Sequence, residues 1–197
     1  MEGVERDFNH PAIIGWCPFN ETWNYKGRRQ YDPLLATVYD YTKTVDSTRP
    51  CIDTSGNFHV ETDIFDVHDY DQDCDLFRGH YEDLTNKNIL FDHQAHKQTW
   101  KGEPVFMSEY GGIKWDVECD IQSWGYGNEP KTEEEFVRRY EGLTKAIMQC
   151  NKIFGFCYTQ LYDIEQEKNG LYTYSREPKF DMSVFKKINS QPAATEK

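Results

Sequence analysis

The chain has 197 residues, enough for one hydrophobic core but short of the roughly 250 of a complete eight-stranded α/β barrel. A net charge of −12 repels phosphate backbones and argues against nucleic-acid binding. No apolar run approaches the ~20 residues that span a bilayer, so no membrane partner is expected. No basic stretch leads into an apolar one as in a signal peptide. The cysteines at 17, 51, 74, 119, 150 and 157 form no C-x-x-C pair. They read as buried free thiols in a reducing compartment, and a cytoplasmic location is expected.

In chain order, the first feature is an apolar run over residues 12–20 that ends in Asn20-Glu21. Continuous hydrophobics predict a parallel strand covered on both faces. A polar loop follows, Thr22 to Tyr31, and Asp32-Pro33 then reads as an N-cap with proline at the first helical position. Leu34, Leu35, Val38, Tyr39, Thr42 and Val45 recur at helical spacing, and Arg49-Pro50 stops that helix. Short strands are predicted at 50–54 and 64–69, and a polar helix at 74–85. Residues 104–108 form a further strand, ending in Ser108-Glu109-Tyr110 before two glycines that let the chain turn. An irregular loop at 115–130 carries Trp115 and Trp124. Thr132-Glu133-Glu134-Glu135 is a capping-box signature for a helix with Phe136, Tyr140, Leu143 and Ile147 on one face. The strand at 153–160, a short helix at 180–188 and a polar tail at 189–197 complete the chain. Strands alternating with helices predict an α/β fold with parallel strands.

Two apolar strands each delivering a glutamate at the C-terminal end, where such folds keep their chemistry, point to glycoside hydrolysis. That reaction needs one carboxyl as acid/base and another as nucleophile or base. The rich supply of aromatics, 13 Tyr, 12 Phe and 5 Trp, suits either a large core or a cleft whose flat rings stack on sugars. Asn20-Glu21-Thr22 is formally a glycosylation sequon, but a glycan there would bury one of the two candidate carboxyls. The run from Asp69 to Asp75 has alternating acids, yet Cys74 and His80 stand where a calcium loop needs glycine and glutamate, so no metal or cofactor is expected.

His10-Pro11-Ala12-Ile13-Ile14-Gly15-Trp16, ending in Asn20-Glu21, resembles the acid/base signature of glycoside hydrolase family 2, which holds β-galactosidases, β-glucuronidases and β-mannosidases. Ser108-Glu109-Tyr110-Gly111-Gly112 is similar to its nucleophile signature. Phe156 to Asp163 resembles its last barrel strand, and Asn169-Gly170-Leu171 with Pro178-Lys179-Phe180-Asp181 its closing segment. The resemblance implies a partial (β/α)8 TIM barrel, approximately strands four to eight, over residues 1–188 and followed by the tail. It further implies Glu21 as acid/base and Glu109 as nucleophile. Asn20 would bind the sugar 2-hydroxyl, and Tyr70 would contact Glu109. His68 is either a substrate contact or a rim hydrogen bond. Tyr158 stands where several relatives carry a tryptophan sugar platform, and Trp115 and Trp124 are candidates for the cleft wall.

The expected activity is that of a retaining exo-β-glycosidase of β-galactosidase type, acting on a carbohydrate substrate. Absence of Asn-x-Lys where β-glucuronidases carry it counts against that specificity. The alternative is a non-catalytic carbohydrate-binding or structural fragment, because a barrel lacking strands one to three has open edges that invite self-association.

Overall fold

The computed structural model describes residues 2–22, 29–56, 58–92, 97–117 and 122–196. Residues 23–28 of the first predicted loop lie outside this set, as do residues 118–121 of the second, including Cys119. The helices are α1 (Glu2–Asp7), α2 (Asp32–Val45), α3 (Cys74–Lys87), α4 (Glu133–Gln149) and α5 (Met182–Asn189), with a 3-10 turn at Ala194–Glu196. The strands are β1 (Phe65–Asp69), β2 (Val105–Gly111) and β3 (Ile153–Thr159), which form an open parallel sheet in the order β1-β2-β3. This is the expected α/β class. Among the described residues, no helix is long and apolar enough to cross a membrane. The chain divides into two compact units, Met1–His68 with Asp92–Phe106, and Asp69–Phe91 with Met107–Lys197.

In the first unit, α2 buries Leu35, Tyr39 and Thr42. Its N-cap is Tyr31 rather than Asp32, and no side chain caps it. Asp32 instead lies in the first turn, where its charge meets the positive end of the helix. Beyond α2, the buried carboxylate of Asp46 accepts from the Trp16 indole (2.9 Å), from both the amide and hydroxyl of Thr48, and from Arg49 (2.6 Å). Burial opposes its charge, and these hydrogen bonds outweigh burial, so the carboxyl titrates well below the usual range. Arg49 also donates to the carbonyls of Phe8 and Ile13, tying the N-terminal segment to this point.

The expected strands at 12–20 and 50–54 are not continuous. They meet through two isolated parallel bridges, Trp16 with Cys51 and Asn20 with Ser55. Pro18, between the bridges, has no N–H to give to a ladder. Nor is the first segment covered on both faces, since Ile14 is 80% exposed.

In the second unit, each helix start has its cap. The Asp73 carboxylate accepts from the amides of Asp75 and Leu76 at the head of α3. Thr132 Oγ1 accepts from the Glu135 amide at the head of α4, while the Glu135 carboxylate reaches one residue further back, to the Lys131 amide. Asp181 caps α5. Helix α4 buries Phe136, Tyr140, Leu143 and Ile147, and Phe185 of α5 meets the Tyr140 ring edge-on at 4.8 Å. In the closing segment, Asp163 Oδ1 accepts from Lys179 Nζ (2.6 Å) and the Gly170 amide (3.0 Å), and Lys179 also donates to the Trp115 carbonyl. Strand β3 lies at the sheet edge, leaving Phe154 and Cys157 exposed, so it too departs from the fully buried strand expected. The five described cysteines are free. Cys51 and Cys150 are buried as expected, but Cys17 and Cys157 are exposed because the segments that carry them are not covered.

Candidate active site

Each unit carries one of the two glutamates, with its own supporting groups. Glu109 stands on β2, the middle strand of the sheet, two residues before the chain turns at Gly111 (φ 81°) and Gly112 (φ 60°). Both conformations favour glycine, and neither position has room for a Cβ. One at Gly111 would run into the Tyr158 ring, and one at Gly112 into Tyr126 and Tyr70.

The Tyr70 hydroxyl, just past β1, donates to Glu109 Oε2 and lies 3.3 Å from Thr159 Oγ1. Burial first, and the hydrogen bond to Glu109 second, push the phenol's titration far above its usual range, so Tyr70 remains a donor. The Tyr70 ring stacks flat on Tyr126, with centroids 3.6 Å apart. Gln72 donates to the carbonyls of Tyr70 and Gly111, joining the ends of β1 and β2. The arrangement aims the Glu109 carboxyl group, held by a phenol that stays a hydrogen-bond donor.

Glu21 ends the bridged segment. Its amide donates to the Ser55 carbonyl, and its φ of 50° turns the chain away from the bridge. Glu21 Oε1 lies 3.0 Å from Nδ1 of His68, on β1. The other His68 nitrogen, Nε2, lies 3.0 Å from the Ser55 hydroxyl. Gly56 (φ 68°) permits this seat, since a Cβ there would collide with the imidazole. Asn20 is exposed, its backbone bridged to Ser55.

The aromatic candidates divide. The Tyr158 hydroxyl donates to the Asn169 carbonyl and accepts from the Ile113 amide, both at 3.3 Å. Its ring meets Tyr110 and Tyr140, so the side chain buttresses the turn after β2. The Trp115 ring packs against Phe136 and Phe180, as a core residue does. Trp124 is 46% exposed and meets Tyr126 edge-on. Sequence reasoning missed Tyr126, Gln72 and Ser55. Gln72 lies within an acidic run, and Tyr126 follows Trp124 by two residues in a loop whose tryptophans carry the signal.

A family model described as glycosyl hydrolases family 2, TIM barrel domain, matches residues 1–192. Searching curated proteins by sequence gave no match. Among solved structures, a β-glucuronidase of Bifidobacterium dentium, complexed with coumarin-3-O-glucuronide, is 20% identical with a TM-score of 0.67, covering 98% of this chain and 33% of its own. The Faecalibacterium prausnitzii β-glucuronidase is 22% identical (TM-score 0.67; 98% and 34% covered). A β-galacturonidase of Eisenbergiella tayi bound to glycerol is 17% identical (TM-score 0.66; 96% and 35% covered). The chain thus spans about a third of the length of these structures. It belongs to glycoside hydrolase family 2, and its fold is that of a partial TIM barrel of that family.

Proposed function

We propose that the chain carries the catalytic residues of a retaining exo-β-glycosidase, with Glu21 as acid/base and Glu109 as nucleophile. The observation that carries this reading is the Tyr70 phenol donating to Glu109, which favours the carboxylate form a nucleophile needs. In the first step Glu21 gives its proton to the glycosidic oxygen as Glu109 attacks the anomeric carbon, and the sugar is left as an ester on Glu109. In the second, Glu21 takes a proton from water as the water oxygen attacks the anomeric carbon, and the ester bond to Glu109 breaks, releasing the sugar with its configuration retained. Asn20, the residue before the acid/base, is the proposed contact to the sugar 2-hydroxyl. The substrate is a terminal β-linked sugar, with a β-galactoside as the first choice. The structural neighbours named for glucuronides and galacturonides make β-uronides the second.

The test uses both glutamate variants on activated aryl and unactivated alkyl β-glycosides, with and without azide. Glu109→Gln is expected to abolish turnover of all substrates. Glu21→Gln is expected to spare glycosylation by the aryl glycoside, because a good leaving group departs without a proton, and to slow the alkyl glycoside sharply. Azide then rescues the second step and gives a β-glycosyl azide. Equal loss on both substrates with no azide product overturns the assignment of Glu21. No activity in any protein carrying the chain would favour the non-catalytic alternative.

A further inference from the structure

We propose that Ser55 and Asp66, backed by His59, are positioning residues that fix which nitrogen of His68 carries the proton, and so hold the proton of Glu21. The inference rests on the acid/base reading of Glu21 given above, and every group in it belongs to the first unit.

The chain of contacts begins in the core. The His59 side chain is almost fully buried between two carboxylates, with Nδ1 at 2.7 Å from Asp53 Oδ1 and Nε2 at 3.1 Å from Asp66 Oδ1. Burial opposes charge on the ring, but the hydrogen bonds and charges of Asp53 and Asp66 outweigh it and raise His59 to about 10. The ring is therefore a cation at neutral pH, and its Nε2 also lies 3.3 Å from the Asp66 carbonyl. The other side-chain oxygen of Asp66, Oδ2, accepts from the Ser55 hydroxyl (2.7 Å) and the Gly56 amide (3.0 Å).

A hydroxyl has one proton. With that proton on Asp66, Ser55 Oγ turns a lone pair toward His68 Nε2, and the 3.0 Å contact requires an N–H on that nitrogen. Asp66 itself is 3.9 Å from Nε2, too far to take over as its hydrogen-bond acceptor. A neutral imidazole has one N–H, so Nδ1 is left as a lone pair facing Glu21 Oε1 at 3.0 Å. Two lone pairs repel across that distance, whereas a carboxylic acid donates. The neutral ring in this tautomer therefore favours the protonated carboxyl, which is the form a general acid needs. Were the tautomer free, the ring could offer Nδ1–H and hold Glu21 as a carboxylate, a form unable to protonate a leaving group.

The deciding measurement is the tautomer of His68, read from long-range proton–nitrogen correlations of ring-labelled protein and assigned with His68→Gln. The wild-type chain is expected to show the Nε2–H tautomer, a result that needs no variant. Ser55→Ala should lose that preference, and Ser55→Thr should keep it. A wild-type ring protonated on Nδ1, or a Ser55→Ala spectrum unchanged from wild type, overturns the proposal. In kinetics, Ser55→Ala should lower kcat/KM about tenfold more for an alkyl than for an activated aryl β-glycoside, with Ser55→Thr restoring it. Equal losses remove the proton-holding role. If Glu21→Gln itself fails to distinguish the two substrates, the acid/base reading falls, while the tautomer spectra still decide whether Ser55 sets the ring.

Discussion

The Tyr70 hydroxyl donates to the Glu109 carboxylate across 39 positions of sequence, from the end of one strand to the side chain of the next. The flat stack of Tyr70 on Tyr126 holds the phenol ring independently of its hydroxyl. Tyr70→Phe should therefore leave thermal unfolding little changed and lower kcat about 10- to 100-fold, the worth of a hydrogen bond to a charged group at ~1.5–3 kcal/mol. Steady-state kinetics on an aryl β-glycoside, beside a melting curve, check both halves. A large fall in stability with kcat unchanged would make Tyr70 a packing residue.

His59 ties stability to pH. Folding raises its pKa from 6.5 to about 10, so the folded state holds the proton more tightly than the unfolded chain. The resulting stabilisation, on the order of a few kcal/mol, is complete below pH 6.5 and is lost as the pH climbs through 10. Urea midpoints taken at about pH 6 and about pH 10.5 should fall further for wild type than for His59→Gln, which lacks the titrating ring. Equal falls would place the effect elsewhere.

The buried pair of Lys179 and Asp163 gives a third expectation. Lys179 Nζ is fully buried, and burial lowers its pKa despite the opposing pull of Asp163. Lys179→Met alone removes the nearer of Asp163's two cations, leaving Lys168 Nζ at 4.0 Å, and should cost up to about 3–5 kcal/mol. The double variant Lys179→Met with Asp163→Asn should recover a good part of that loss, because an uncharged amide has no buried charge to offset. Denaturant unfolding of both single variants and the double one gives the coupling directly.

Much of this architecture was legible in residue patterns. The cap at Thr132, the apolar face from Phe136 to Ile147 and the glutamate-bearing strand β2 each follow from local rules that the fold leaves intact. Residues 12–20 have the apolar run of a covered strand, but Pro18 interrupts any ladder and Ile14 is left exposed. Tyr70 beside Glu109 was legible only through the family resemblance, and Ser55 and Gln72 were not legible at all. Ser55 meets His68 from 13 positions away, and Gln72 meets Gly111 from 39. No local periodicity encodes such pairs, since only the path of the backbone brings them together. His59 carried no motif, yet the backbone places it between two carboxylates.

The two glutamates ride on backbone of unequal stiffness. Glu109 belongs to a strand paired on both sides, whereas Glu21 ends a segment held by two isolated bridges and the reach of Arg49 to two carbonyls. Local opening costs less where fewer backbone hydrogen bonds must break together, so amides near residue 20 should exchange with solvent faster than those at the centre of β2. In the proposed roles this asymmetry separates two demands. The carboxyl that must meet a fixed anomeric carbon sits on a strand paired on both sides, and the one that must follow leaving groups of different size sits where fewer backbone bonds hold the chain.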